Sequence, residues 1–431
     1  MDENKGLATL TDYGTTHSLE FRFNDAGEVT RSSRSSTATR REETIQMTDT
    51  DDVQADTSLP SRRKLSRRRF LAAAAAAGTT AVVGEALVTY APWQDYEAQA
   101  RRTWGTPFQT GAAVPAQMRE LVRYATLAPS GHNTQPWLFA VQGNTIRISP
   151  DYSRRLPAVD PQDRELWISL GCALENLGIA ASAAGYGTDV TYPSPDADHI
   201  TLHLSRSSAH GPAALLEAIP RRQNNRSVYD GRPVPPAETK KMEAVTSGAG
   251  ISTLIFTDPT HKEAIIEYIK AGDRRQFGDP AFVAELVSWI RFNKPEALHS
   301  LDGLYTRCTG NPDVPRWLGR RFLSAASAGQ QADTSAQKAR SSSGLIVIAA
   351  AADDKRHWIE TGRLYERLAL TLTASGIQVA FLNQPAEVPG LRCQFQSYLR
   401  LGTAQPQLLL RFGYADALPH SLRRPVEQVL V

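Results

Sequence analysis

The chain has 431 residues, with 48 Lys+Arg against 45 Asp+Glu, a formal net charge of +3 at pH 7. That balance excludes a general nucleic-acid binder, whose basic residues outnumber its acids on a dedicated face. Three cysteines, Cys172, Cys308 and Cys393, build neither a disulfide framework nor a C-x-x-C zinc site, and no run of eighteen strongly apolar residues provides a polytopic membrane protein. The 41% apolar and 22% charged content fits a globular core, and the length fits two or three domain-sized units.

Residues 1–65 are rich in Ser, Thr, Asp, Glu and Arg with little apolar periodicity. Such a segment buries too little surface to offset its ordering entropy, which predicts a disordered N-terminal extension. Residues 66–91 carry basic residues ahead of an Ala-rich stretch, Ala72 to Gly84, that stops at Glu85. That is the layout of an export signal, with a basic, Ala-rich helix as the structural alternative. Ser66-Arg67-Arg68-Arg69-Phe70-Leu71 resembles the twin-arginine signal. The resemblance implies the twin-arginine translocase as a partner, export of a folded protein, and residence in the periplasm or cell envelope. Ala98-Gln99-Ala100 has the small-x-small form of a cleavage site but lies far from the apolar stretch, so an uncleaved anchor is the alternative. Met47 would give a leader of more ordinary length than Met1. Residues 92–114 read as a linker.

The next elements are a helix over Met118–Leu127, a strand over Leu138–Val141, a β-rich run over Thr145–Ser149 and a long helix from Trp167 towards Gly185. The long helix repeats. Trp167, Ile168, Gly171, Glu175 and Leu177 recur as Trp358, Ile359, Gly362, Glu366 and Leu368, an offset of 191 (358 − 167), and Gly376 follows Gly185 at the same offset. Each copy follows a β-rich run, the second being Leu345–Ala349, and each ends at a glycine suited to a helix C-terminus. Duplication predicts two related α+β halves, 115–213 and 214–431. Pro115 and Pro236 open similar short helices 121 apart, so the second half holds about 70 extra residues (191 − 121), placed at about 271–342. An insert of that length reads as a lid.

Four stretches carry candidate chemistry. In Ala128-Pro129-Ser130-Gly131-His132-Asn133-Thr134-Gln135-Pro136-Trp137, a helix ends and Ser130, Asn133 and Gln135 place hydroxyl and amide groups in the turn. Such groups bind the edge of a flat heteroaromatic ring, or they satisfy the turn's own backbone. In Arg221 to Val234, Arg222 and Arg226 stand four apart and share one face of a helix, either to grip a phosphate or as a solvated basic face. Arg423-Arg424-Pro425 in the tail and Leu382-Asn383-Gln384-Pro385 after the second long helix complete the set. No metal-ligand grouping and no catalytic nucleophile or base is evident; His132 reads as a bystander, and Cys172 as a buried, inert thiol.

Ala-Pro-Ser-Gly-x-Asn-x-Gln-Pro-Trp resembles the signature of the nitroreductase family of FMN flavoproteins. The Arg222–Arg226 stretch resembles that family's Arg-x-Ser-x-Arg opening, with Asn224 in place of the serine. The single-chain duplication is most similar to the Acg branch of the family, over 115–431. The resemblance implies an α+β fold of two nitroreductase-like halves fused as a pseudo-dimer, with helices around central, mainly antiparallel sheets. It implies one FMN under a lid, contacted by Ser130, Gly131, Asn133, Gln135 and Asn383. Arg222, Asn224, Arg226, Arg423 and Arg424 would hold its phosphate and ribityl chain. It further implies a monomer that transfers hydride from NAD(P)H or another electron donor through FMN to a nitro- or quinone-like acceptor. The alternative is a protein that binds or sequesters FMN without turnover.

Overall fold

The structure, a computed structural model, describes residues 5–12, 15–23, 29–35 and 94–431 apart from 112, 195–196, 209–210 and 246–249. The chain divides into two units, Met1–Arg67 and Arg68–Val431. In the first, β1 (Lys5–Asp12), β2 (Thr15–Phe23) and β3 (Val29–Ser35) form an antiparallel meander. These strands depart from the disorder expected over 1–65. Leu19-Glu20-Phe21-Arg22-Phe23 alternates with the period of two that a strand requires, a pattern that mean composition hides. The twin-arginine stretch and all of 66–91 lie outside the described residues.

Among the described residues, the second unit begins with α1 (Gln94–Trp104), where a linker was expected. Tyr96, Ala100 and Trp104 recur at four-residue spacing and form an apolar face; Tyr96 packs with Tyr305, Cys308 and Leu422. Then come α2 (Val114–Ala125), β4 (Trp137–Gln142), β5 (Thr145–Pro150), α3 (Arg164–Ala183), β6 (Tyr186–Thr191) and β7 (Ile200–Arg206). The strands form an antiparallel sheet in the order β4-β5-β7-β6. After α4 (Ala213–Ala218) the pattern returns as α5 (Pro236–Ala244) and β8 (Ile251–Phe256).

An insert follows: α6 (Pro259–Phe277), α7 (Pro280–Trp289), the two-residue strand β9 (Ile290–Arg291), α8 (Lys294–Ser300), its partner β10 (Leu304–Tyr305), α9 (Arg316–Ala325) and α10 (Ala328–Arg340). The second sheet then completes with β11 (Gly344–Ala350), α11 (Lys355–Ala374), β12 (Gln378–Phe381), the short helices α12 (Gln384–Glu387) and α13 (Pro389–Tyr398), and β13 (Gln405–Gly413). Its order is β8-β11-β13-β12, antiparallel throughout, so the two sheets share one topology. The insert therefore runs from 257 to 343, replacing the tight Gly143-Asn144 turn between β4 and β5. It begins earlier than the expected 271, because α6 stands between β8 and β11 and has no counterpart in the first half.

The duplicated helices meet at the centre. Helices α3 and α11 have 20 residues each and start at one offset of 191 (355 − 164). A Cβ on Gly171 would collide with the Ile359 carbonyl, and a Cβ on Gly362 with the Ile168 carbonyl. These contacts are reciprocal, because residues 171 and 362, and 168 and 359, are repeat equivalents; reciprocity is the mark of a two-fold interface. Both helices end at a glycine in the left-handed region, Gly185 (φ +77) and Gly376 (φ +72). Helix α3 is apolar and long enough to cross a membrane, yet 78% of its most apolar window is buried inside the protein.

One core runs through both halves, joining Leu121, Trp167 and Leu170 to Ile346, Leu364 and Leu368. Strand β11 is buried along its whole length. Ile346 and Ile348 face that core, while Leu345 and Val347 face Ile265, Ile269 and Ala339 of the insert. The halves also meet at an edge, where Phe139 N–H on β4 donates to Val429 O (2.7 Å) in the C-terminal tail; within the second half, Asn225 N–H donates to Val379 O (3.0 Å) on β12.

Candidate functional site

Helix α2 stops ahead of Pro129, and the loop beyond it is strained. His132, Asn133 and Gln135 have φ of +47°, +55° and +54°, three of the six non-glycine residues with positive φ among those described. Left-handed backbone at such residues persists only where surrounding contacts fix it, and it concentrates at binding sites. The contacts here are specific. Ser130 Oγ accepts from Gln135 N–H (2.9 Å). Asn133 Nδ2 donates to Gly303 O (3.0 Å), and Gln135 Nε2 donates to Leu301 O (3.0 Å). The loop is thus stitched to the insert, and Asp302 between those two carbonyls pairs with Arg154 and with Arg291 (2.6 Å).

Two adjoining cavities open at this loop, where the halves and the insert converge. The larger, about 270 Å³, is bounded by the loop, the first turns of α3, β12 and α12, with α6, α7 and α10 of the insert across it. The smaller, about 70 Å³, lies between the loop, residues 222–226, residues 304–309 of the insert and the tail at 419–423. Pro129, Ser130, Asn224 and Arg226 line both. Gly131 and Asn383 line the larger cavity; Asn133, Arg222 and Arg423 line the smaller. Gln135 and Arg424 line neither. Gln135 Oε1 accepts from Arg424 N–H (2.8 Å), and the Arg424 guanidinium donates to Gln135 O (3.1 Å) and Gln428 O (2.9 Å), so the two lock the loop to the tail.

The helix expected to align Arg222 with Arg226 is absent. Helix α4 ends at Ala218, a single 3₁₀ turn carries Pro220, and Arg222 is extended (φ −62°, ψ 133°). Proline offers no N–H to continue a helix, and the Asn225–Val379 bond draws the chain out beside β12. In an extended chain residues i, i+2 and i+4 face one side, so Arg222, Asn224 and Arg226 still converge.

Their electrostatics differ. Arg222 Nε lies 3.2 Å from Glu366 Oε1, an ion-pair contact without hydrogen-bond alignment, and both side chains are almost wholly buried. Arg222 Nη2 donates to Leu127 O (3.2 Å), while Nη1 has no hydrogen-bond partner. Arg423 donates to Thr126 O (3.0 Å), Ala128 O (3.1 Å) and Asn133 Oδ1 (2.8 Å), capping the carbonyl end of α2. No carboxylate pairs with Arg423 among the described residues. Arg226 has neither an ion pair nor a hydrogen bond among them, and burial lowers its pKa. Asn224 Oδ1 accepts from Tyr365 O–H (2.8 Å).

Burial, with Arg226 close by, lowers the His132 pKa to about 3, so the ring is neutral at any physiological pH. Cys172, on the wall of the larger cavity, is 2% exposed, and burial pushes its thiol pKa well up.

Composition and motif left several wall residues unassigned. Asp273, Gln276 and Lys338 come from the insert, which has no counterpart from which to read a pattern. Burial, then Arg411 and Arg226, lower the Lys338 pKa to about 8. Glu165 and Glu387 also face the larger cavity. Glu387 lies three residues beyond Gln384 in the fourth stretch. Glu165 sits two residues before Trp167, and its repeat equivalent is Arg356 (165 + 191), an asymmetry visible in the sequence. Among the described residues no group of His, Cys, Asp and Glu is arranged to hold a metal ion.

No family model matches the chain. A Mycobacterium tuberculosis protein named "Putative NAD(P)H nitroreductase Rv3131" is 26% identical over 327 residues, 73% of this chain and 90% of that protein. By sequence the chain is similar to proteins named as putative nitroreductases. Another relative from that organism, "Putative NAD(P)H nitroreductase acg", is 23% identical over 327 residues, 72% of this chain and 94% of its own length. Among solved structures, the chain is similar to an FMN-dependent nitroreductase, NfnB of Mycobacterium smegmatis in complex with NADPH, with a TM-score of 0.31, 14% identity, and coverage of 47% of this chain and 88% of that one. A nitroreductase with bound FMN from Bacteroides fragilis gives a TM-score of 0.29, 15% identity, and 47% and 88% coverage.

Proposed function

We propose that this protein is an FMN-dependent oxidoreductase of nitroreductase type that takes reducing equivalents from NAD(P)H and passes hydride to a nitro- or quinone-like acceptor. The observation that carries this reading is the pair of cavities meeting at Ser130, Asn224 and Arg226, built from both halves, with the half-buried Arg226 guanidinium, free of ion pairs and hydrogen bonds among the described residues, between them. A partly desolvated cation without a hydrogen-bonded partner is costly, and an anionic ligand lowers that cost. The residues fit FMN. The small cavity, with Arg226, Arg423 and the free Nη1 of Arg222, suits a phosphate. The larger one, with the backbone of the Ser130–Gly131 loop and the segment at Asn383, suits a planar ring. FMN, when bound, supplies the two-electron chemistry; the chain positions it, excludes water and places positive charge beside it.

The phosphate clamp proposed from this arrangement is Arg226 and Arg423, with Arg222 held mainly by Glu366. The purified protein should carry flavin visible by its absorbance. Arg226→Ala and Arg423→Ala should each lower the bound fraction, and unchanged flavin content in both would refute the clamp.

A second reading rests on the insert: α6, α7 and α10 lie across the larger cavity, as in a protein that holds FMN without turnover. Rapid mixing with NADH or NADPH separates the two, since bleaching of bound flavin supports the oxidoreductase and its absence the sequestering protein. We also propose that the protein arose by fusion of two nitroreductase-like halves, as in the Acg branch, and works as a monomer. Its route is export by the twin-arginine translocase to the periplasm or cell envelope, a reading supported by Ser66–Leu71 and tested by replacing Arg67 and Arg68 with Lys and locating the product.

A further inference from the structure

The larger cavity contains two carboxyl groups that no reading so far uses. Glu165, in the first turn of α3, and Glu387, at the end of α12, come from different halves, and their carboxyls are hydrogen-bonded to each other. Arg164 Nη2 donates to Glu165 Oε1 (3.1 Å), and Asn383 Nδ2 lies 3.4 Å from the same atom. On the other partner, Gln276 Nε2 of the insert donates to Glu387 Oε2 (2.5 Å). A Cβ placed on Gly131 would sit 3.8 Å from Glu165 Oε2, so this carboxyl lies directly under the strained loop. Asp273, 2% exposed and on the wall of the same cavity, accepts from Gln384 Nε2 (3.0 Å).

Two carboxylates in hydrogen-bond contact cannot both be ionised, because the bond needs a proton and two charges at that distance repel. We propose that Glu165 and Glu387 hold one proton between them and that this shared acid is the proton source for acceptor reduction in the larger cavity. The charged groups around the pair do not cancel that preference. Arg164 favours ionisation of both carboxyls and Arg226 faces Glu387, while Asp160, just ahead of α3, opposes ionisation of both. Burial is the largest influence on each carboxyl and raises both pKa values. His132, the other titratable group in the loop, is neutral and has no imidazolium proton to give.

The chemistry balances for a quinone-like acceptor. It becomes a hydroquinone by gaining one hydride from the NAD(P)H-reduced cofactor and one proton. The Glu165 O–H bond breaks, its electron pair stays on the carboxylate, the proton goes to the acceptor oxygen, and solvent restores the pair. This step rests on the oxidoreductase reading.

The test reads the proton first and turnover second. Infrared difference spectroscopy of the full chain between neutral and alkaline pH should reveal a protonated carboxyl C=O stretch that disappears in Glu165→Gln and in Glu387→Gln. With FMN content unchanged, both variants should lose about 100-fold in kcat with little change in KM, the scale of lost general-acid catalysis. Absence of the band overturns the shared proton. A band with normal kcat in both variants overturns the donor role. A chain that binds no FMN overturns the oxidoreductase reading and, with it, the donor role, while the infrared band still reports on the pair alone.

Discussion

Arg222 and Arg226 are the same residue type four positions apart, but they face different fields. Arg222 is the counter-ion of Glu366 in the core between the halves. Removing it strands a buried carboxylate, so Arg222→Ala should cost about 3–5 kcal/mol and lower the melting temperature sharply. Arg226→Ala removes a partly desolvated guanidinium without an ion pair and should not lower the thermal stability of the flavin-free protein. Thermal unfolding of both variants, with and without added FMN, checks this contrast. The sequence distinguishes neither arginine, because Glu366 is distant in the chain.

The histidines make a pH prediction. Burial lowers His420 to about 4 and His132 to about 3, against 6.5 when exposed. A folded-state pKa below the unfolded value means that the stability these rings contribute is complete above pH 6.5 and lost as pH falls towards 4. The parent should therefore lose more stability than His132→Gln or His420→Gln between pH 6.5 and 4, as read from chemical denaturation at each pH.

At the level of elements, α3 and α11 depend on two small residues at their crossing. A methyl at Gly171 or Gly362 meets the partner's backbone carbonyl, which cannot rotate away as a side chain can. Each Gly→Ala change should destabilise by at least the roughly 1–3 kcal/mol typical of overpacking. The pair should not be additive, because the first substitution already forces the helices apart; a double-mutant cycle in denaturant measures this. These helices were legible in the sequence, together with their terminal glycines, because a 191-residue offset preserves both spacing and punctuation. The insert was legible as extra length, but its first boundary was not: α6 looks like any amphipathic helix until β8 is seen to pair directly with β11. The expected helix at Arg222–Arg226 failed for a local reason, Pro220, and for a tertiary one, the bond to Val379.

For the whole of the second unit, the shared core makes the halves interdependent. Trp167 and Leu170 of one half are buried together with Leu364 and Leu368 of the other. Burying each such side chain contributes about 1.5–3 kcal/mol, and none of that is available to an isolated half. A fragment spanning 115–213 should therefore be unfolded or aggregated, and the intact second unit should melt in one transition; circular dichroism of the fragment and calorimetry of the chain test both. Co-expression of 115–213 with 214–431 should restore soluble material, since the interface is reciprocal rather than dependent on the connecting peptide.

The amino-acid sequence by itself determined the internal repeat, the polar turn after α2 and the candidate segments that approach it, because each depends on local spacing and turn chemistry. Only the tertiary structure decided which charges are spent on the protein and which face the cavity. Arg222 is neutralised by Glu366, Arg424 is tied to Gln135, Arg226 is left unpaired, and Glu165 meets Glu387 across the two halves. Pairing and burial are properties of neighbours brought together by folding, and Coulomb energies depend on those distances and on excluded water, neither of which is encoded in spacing along the chain.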